Sequence, residues 1–309
     1  MAPSADEHLT QRRILVVPHS GRADAVEITA TAVDGLRAAG IEVCLLAEDA
    51  DKLDHPDVRV VSANDAAQGC ELTMVFGGDG TILRAAYLSS AYDVPLLGVN
   101  LGHMGFLAES EPDGLAAVLA AAIDRDYHVE PRMALEVVVR TPEGTCTTGW
   151  ALNDVTLEKT ERSRMVELVL AIDDEPLSSW AADGIVCATP TGSTAYAWSA
   201  GGPVVWPEVE ALVVVPISAH ALFSRPLVVS PSSEIDIELL AQSSPGLAWC
   251  DGSRQIEVPP GSRLEVRRSA VSVKLARLHD SRFARRLVAK FNLPVEGWRG
   301  RDKFEGPTT

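Results

Sequence analysis

The chain has 309 residues, enough for one large domain or two ordinary ones, and 46% of them are hydrophobic, ample for a core. Its net charge of −16 argues against nucleic acid as the main partner, because a phosphate backbone needs a basic footprint. It leaves a nucleotide open, which needs only a local positive or N–H-rich site.

The first 130 residues alternate strand and helix signals. RRILVVPH (Arg12 to His19) is a short apolar run of the kind found in buried parallel strands. DAVEITATAVDGLRAAG follows, with apolar residues at helical spacing and Gly40 suited to end the helix. IEVCLLA, LTMVF and VPLLGVN read as further strands, ILRAAYL and GLAAVLAAAID as helices. This alternation predicts an α/β N-terminal domain, residues 1–130, with a parallel sheet covered by helices.

The pattern changes after Pro131. ALEVVVRT, the turn Pro142-Glu143-Gly144 and TTGWALNDVTLEK follow hairpin logic. VELVLAID, GIVCATP, ALVVVPI, IDIELL, SRLEVRR and VSVKLARL add strands separated by Gly and Pro turns. Residues 131–279 are therefore expected to form a mostly β C-terminal domain. DSRFARRLVAKFNLP is again helical, so residues 280–309 are expected to carry a C-terminal helix returning to the first domain. No run of 18 apolar residues occurs, so no membrane helix is expected, and the polar start MAPSADEHLTQRR lacks a signal core. The five cysteines, Cys44, Cys70, Cys146, Cys187 and Cys250, are far apart and form no C-x-x-C pair. They read as reduced thiols of a cytoplasmic protein, with no zinc site.

The stretch GGDGT, Gly77 to Thr81, admits two readings. Asp-Gly is a hairpin signal, but a helical pattern rather than a strand follows it, so the order is strand, glycine loop, helix. That order places the loop at a strand's carboxyl end, where open α/β sheets bind ligands. A Walker A loop is ruled out by the lack of lysine, and a dinucleotide fingerprint by Leu83 at its third glycine position. Gly77, Gly78, Gly80 and Thr81 can still expose consecutive N–H groups to a phosphate at a helix head. Asp79 among them can hold a cation or accept a hydroxyl proton in phosphoryl transfer. A plain turn remains the alternative.

Three other places carry both a structural and a functional reading. PTGSTAY, ending at Tyr196, could stop a strand and cap a helix, and the same start is an N–H-rich pocket. Asn153-Asp154 could be turn chemistry, yet it interrupts the strand-like run WALNDVTLEK, and such local conflicts are where function is expected. Asp183-Gly184 by itself is a turn. His103 reads as a core histidine, Arg84 has the alternative of a solvated arginine on a helix surface, and Phe106 that of a core residue.

GGDGT, GVNLGHMGFLAE (Gly98 to Glu109), NDVTLEK and DGIVCATPTGSTAYAWSAGGPVV (Asp183 to Val205) stand in an order that resembles the NAD kinases over nearly the whole chain. The resemblance implies transfer of a phosphoryl group from ATP, with Mg²⁺ or another divalent cation, to the adenosine-ribose 2′-hydroxyl of NAD. Some bacterial members also use inorganic polyphosphate. It implies a homodimer or homotetramer in which a neighbour completes the site, with no nucleic acid or membrane partner. Asp79 matches the family's proton acceptor, followed by Gly80, and Arg84 matches a position near the ligand phosphates. Phe106 matches an aromatic beside the adenine, and Asn153 with Asp154 an Asn–acid pair that reads adenine and ribose. Many members have Asn-Glu there, and Asp154 is one methylene shorter. Arg164 matches a following basic residue, and Asp183 an acid on the nicotinamide side. Thr194, Ala195, Tyr196 and Ser199 match the stretch near the adenine and the subunit boundary, and Ala219 is a further match. CDGSR (Cys250 to Arg254) departs from the frequent Asp-Gly-Gln, with Ser253 in place of glutamine, and is assigned no role. A lipid or sugar kinase with the same loop, and a sensor that binds NAD without turnover, are the competing readings.

Overall fold

The computed structural model describes residues 11–19, 21–53, 55–101, 105–108, 114–278 and 283–295. His103 and Glu109 lie outside them. The chain divides into two compact units, Met1–Glu130 with Lys274–Thr309, and Pro131–Val273.

The first unit is built on a seven-stranded, mostly parallel sheet. Its strands are β1 (Arg13–Pro18), β2 (Glu42–Leu46), β3 (Arg59–Val61), β4 (Leu72–Phe76), β5 (Leu96–Val99), β6 (His128–Arg132) and the late strand β19 (Val273–Arg277). Their order is β3-β2-β1-β4-β5-β19-β6. The strand read from VSVKLARL thus lies parallel to β5, with Leu275 opposite Leu96. Every residue of β4 is buried, which is why LTMVF does not alternate and is apolar except for Thr73, whose hydroxyl pairs with that of Ser89 at 2.9 Å. Helices α1 (Ala23–Ala38), α2 (Ala47–Leu53), α3 (Asp79–Ser89) and α4 (Leu115–Asp124) follow the strands. Leu36, Ile41, Met74, Phe76 and Val118 belong to one buried cluster that joins α1, α4 and the sheet. Gly40 ends α1 as the sequence predicts. At φ +78° it donates to Arg37 O (2.9 Å), and Ile41 N donates to Leu36 O (3.1 Å), a Schellman closure.

The sheet order reverses between β1 and β4. β2 and β3 lie to one side, β5 to the other, and the loops after β1 and β4 leave neighbouring carboxyl ends. In an open α/β sheet this is the switch point at which ligands bind.

The second unit holds two six-stranded sheets. One runs β11 (Glu175–Ala182), β10 (Val166–Ile172), β15 (Ile235–Leu239), β18 (Arg263–Arg268), β7 (Leu135–Arg140) and β8 (Cys146–Ala151). The other runs β14 (Leu227–Val229), β13 (Leu212–Ile217), β12 (Gly184–Ala188), β9 (Asp154–Lys159), β16 (Gly246–Cys250) and β17 (Arg254–Val258). All their pairings are antiparallel. One buried cluster draws Val137, Leu168 and Ile237 from the first sheet and Leu157, Ile185 and Val214 from the second. WALNDVTLEK is therefore not one strand. It breaks at Leu152–Asn153, and the chain passes there from the edge of one sheet (β8) to the centre of the other (β9). A four-residue helix, α5 (Tyr196–Ser199), follows β12.

The C-terminal helix α6 (Phe283–Phe291) packs in the first unit. Its Phe283 and Phe291 rings lie 5.7 and 5.8 Å from that of Phe106, and Arg286 Nη1 donates to Phe106 O at 2.7 Å.

Candidate active site

The GGDGT stretch closes the switch point. The strand stops at Phe76, and a Cβ on Gly77 would lie 2.3 Å from Thr81 Oγ1, so the chain must be glycine there. Gly78 is extended (φ −91°, ψ −171°) and caps the helix. Helix α3 then begins at Asp79, three residues before the first helical residue read from ILRAAYL. Asp79, Gly80 and Thr81 therefore form its first turn, where amides and helix dipole favour an anion. Thr81 N and Ile82 N both donate to Gly78 O, at 3.0 and 3.1 Å. A cleft of about 250 Å³ opens here, lined by Pro18 and His19 from the end of β1 and by Gly78, Gly80, Thr81 and Arg84.

Asp79 is held in place by backbone. Its Oδ2 accepts from Phe106 N (3.2 Å) and its Oδ1 from Leu107 N (3.1 Å). Gly105 makes this approach possible, since a Cβ there would lie 2.3 Å from Asp79 Oδ1. Each carboxylate oxygen has a second lone pair, so the group keeps capacity for a hydroxyl proton. Arg84 lines the cleft, one turn into α3, and also pairs with two acids of α2, Glu48 and Asp49 (2.9 Å to Asp49 Oδ2). Burial pushes the Asp49 carboxyl above its usual range, and Arg84 opposes that shift. The Phe106 ring packs against Phe283 and Phe291 of α6, a structural role for the residue that the resemblance set beside the adenine.

The second unit carries a pocket of about 300 Å³, lined by Asn153, Asp154, Thr156, Glu158, Ala195, Tyr196, Trp249, Asp251 and Gly252. It is built on the sheet-to-sheet bend. The Thr189–Gly192 turn holds the bend's carbonyls: Thr189 N donates to Asn153 O (2.9 Å) and Thr189 Oγ1 to Leu152 O (2.7 Å). The approach is so close that a Cβ on Gly192 would lie 1.9 Å from Asn153 O. The glycine of TGSTAY is thus a packing requirement. Ser193 also caps locally, its Oγ donating to Pro190 O at 2.7 Å.

Asp154 is 4% exposed. Burial, and next the like charge of Asp251, push its carboxyl up to about 7, against the Thr156 hydroxyl and the Tyr196 amide. Tyr196 OH donates to Glu158 Oε1 at 2.6 Å, and this bond, with burial, pushes the phenol up to about 12. The remaining expected residues do not line this pocket. Arg164 is exposed beyond β9 and paired with Glu161 at 3.7 Å. Asp183 pairs with Lys159. Thr194 ends the 3-10 turn Gly192–Thr194, Ser199 ends α5, and Ala219 packs against the core.

Sequence reasoning missed Thr156, Glu158, Trp249, Asp251 and Gly252 in this pocket. The overlooked signal for Asp251 was its own Asp-Gly step between the apolar run GLAWC and the alternating run RQIEV, a hairpin mark. Asp251 and Gly252 sit at φ 52° and 63° between β16 and β17. Among the described residues no cluster of three His, Cys, Asp or Glu side chains is placed to hold a metal ion. A divalent cation carried in on ATP keeps most of its coordination on phosphate and water, a demand that Asp79 as a lone carboxylate fits.

A helix head at the switch point of an α/β sheet, with a pocket in the β unit lined by several polar side chains, defines a protein built to bind a phosphate-bearing ligand such as a nucleotide. The profile of the ATP-NAD kinase N-terminal domain matches residues 14–127, and that of its C-terminal domain residues 152–278. The NAD kinase of Thermobifida fusca (strain YX) is 51% identical over 302 residues, covering 94% of this chain and 93% of its own. NAD kinase 2 of Streptomyces coelicolor is 52% identical over 292 residues, covering 94% and 97%. The chain belongs to the NAD kinase family, and it is a phosphotransferase. Two solved structures share the fold. A yeast NADH kinase complexed with NADH superposes with a TM-score of 0.87 at 22% identity, over 94% of this chain and 90% of that one. An NAD kinase from Archaeoglobus fulgidus in complex with ATP gives 0.69 at 23%, over 91% and 99%.

Proposed function

We propose that the protein phosphorylates NAD to NADP with ATP as donor. The observation that carries the reading is Asp79, a carboxylate set in the first turn of α3 at the sheet's switch point, in a chain about half identical to NAD kinases over 94% of its length. The ribose 2′-oxygen attacks the γ-phosphorus as the bond from that phosphorus to the bridging oxygen breaks, and ADP leaves. The hydroxyl proton passes to Asp79, or is oriented by its charge. The amides of Asp79 and Gly80 at the head of α3, the Thr81 hydroxyl and the Arg84 guanidinium bind phosphate oxygens. A divalent cation brought in on ATP, Mg²⁺ in this proposal, would be held chiefly by phosphate and water and would neutralise phosphate charge. Inorganic polyphosphate is a second donor candidate for the same helix head.

In this reading Asn153 pairs with the adenine edge and Asp154 accepts from ribose hydroxyls. Arg164, Asp183, Thr194, Ala195, Tyr196, Ser199 and Ala219 are further NAD contacts, and Phe106 borders the adenine. We also propose a cytoplasmic homo-oligomer, dimer or tetramer, in which a neighbour adds to the site. Its support is the exposed Tyr196 and Trp198, 41% and 43% accessible on α5 beside the pocket. The test is direct. The protein is incubated with NAD, ATP and Mg²⁺, and NADP is measured. NADP formation supports the reading; NAD-dependent thermal stabilisation without NADP favours a binding protein.

A further inference from the structure

The CDGSR hairpin end makes more bonds to the 152–154 bend than a turn requires. Asp251 Oδ2 accepts from Leu152 N (3.0 Å) and Oδ1 from Asn153 N (2.7 Å), across nearly a hundred residues of chain. Asp251 N donates back to Asp154 O at 3.0 Å. Arg254 Nη2 donates to Asp251 Oδ2 at 2.8 Å, while its guanidinium lies 5.8 Å from the Trp150 ring centroid. The Asp251 side chain is 0% exposed and both its oxygens accept these bonds, so its part in the pocket wall is to hold the bend.

The bend is thus gripped from two directions. The Thr189–Gly192 turn takes its carbonyls and Asp251 takes its N–H groups. What the grip fixes is the start of β9, from which Asn153 and Asp154 enter the pocket. A buried carboxylate with a nearby acid is a costly way to hold two amides. A neutral polar group would satisfy one of them with less desolvation. The placement makes sense if the gain lies in the aim of Asn153 and Asp154.

We infer that Asp251 is a positioning residue for the NAD acceptor: with Arg254 as its counterion it sets the angle at which Asn153 and Asp154 meet the adenosine half. This rests on the proposed function for the identity of the ligand. It does not rest on turnover, because binding can be read without catalysis.

The experiment compares Asp251→Asn with wild type by calorimetry, using NAD and, separately, Mg-ATP as probes. Asparagine is nearly isosteric and tolerates the positive φ of this position, but it turns an N–H₂ toward one of the two amides and loses the ion pair. Charge-assisted hydrogen bonds of this kind are strong, so the NAD Kd is expected to rise about tenfold or more, with the ATP Kd within about twofold. Where turnover is measured, KM for NAD should rise with kcat little changed. Arg254→Gln keeps both amide bonds and removes the counterion, so a smaller rise, about two- to fivefold, is expected for NAD alone. An NAD Kd within twofold of wild type in a folded Asp251→Asn protein overturns the inference. So does equal weakening of both nucleotides, which marks a purely structural residue. If Asp251→Asn does not fold, an unchanged NAD Kd in Arg254→Gln overturns it. NADP formation by the wild type, measured separately, bears on the proposed function alone.

Discussion

Asp154 is where the chemistry of a single residue is most exposed to test. Its carboxyl is buried and raised to about 7, burial first and Asp251 second. The groups facing it are Asp251 from the β16–β17 hairpin, Glu158 and Thr156 on its own strand, Tyr196 on α5, Cys187 on β12 and Cys250 on β16. In the unfolded chain an aspartate ionises near pH ~4. Between that pH and about 7 the native state holds the extra proton, so stability falls as pH rises through the window and levels off above it. Asp154→Asn removes this slope. Denaturant midpoints of the two proteins should therefore diverge, with the variant gaining on wild type from pH 4 to 7 and the gap constant above. A gap independent of pH would show that Asp154 ionises normally in the native state. The same proton bears on binding: if the carboxylate accepts from ribose, NAD affinity should strengthen as pH rises through about 7.

At the scale of elements, two glycines of neighbouring motifs separate packing from ligand space. An alanine Cβ at Gly192 would strike the Asn153 carbonyl, which is backbone and cannot swing away. Gly192→Ala is expected to cost about 1–3 kcal/mol of stability by overpacking. At Gly78 nothing lies within 4 Å of the added Cβ and φ is −91°. Gly78→Ala should cost at most about 1 kcal/mol, the difference between glycine and alanine at an N-cap, yet crowd the cleft and raise the KM for a phosphate-bearing substrate. Urea melts and steady-state kinetics on both variants check this. Loss of stability in Gly78→Ala with normal kinetics would move the cleft out of the reaction.

The same elements show how much could be read beforehand. Buried strands such as LTMVF and VVVPI are legible because burial on both faces leaves near-continuous apolar runs, with Thr73 the one exception in the first. The strand–loop–helix order of GGDGT is legible because the period changes across it. β11 was not, since EPLSSWAA shows no alternation and carries Pro176 and two serines. Only in the fold does Trp180 anchor it, fully buried with its indole N–H on Phe223 O. β3 is a mostly exposed edge, and β16 and β17 are five residues each. In the site, Asp79 and Asn153-Asp154 stood out as polar residues in the wrong local company. Asp251 did not, because its partners are amides 98 and 99 residues away, and no local pattern encodes that pairing.

For the whole molecule, the chain builds an α/β unit, leaves it for a β unit, and returns through β19 and α6 to complete the first sheet and pack on Phe106. Among the described residues no helix is long and apolar enough to cross a membrane. If a neighbouring subunit adds to the site, specific activity should fall on dilution, as sizing shows the oligomer dissociating. Constant specific activity in a species shown to be monomeric would remove the neighbour from the site. The central claim is that this chain moves a phosphoryl group to NAD with Asp79 at the proton. Asp79→Asn keeps the shape and removes the charge. The measurement is NADP formed from NAD and Mg-ATP, with NAD affinity by calorimetry on the same preparations. Wild type should make NADP and ADP in equal amounts, and the variant should lose about 10²–10⁴-fold in kcat while still binding NAD. A folded Asp79→Asn protein within about threefold of the wild-type kcat, a change too small for a lost general base, or a wild type that binds NAD and makes no NADP, would contradict the account.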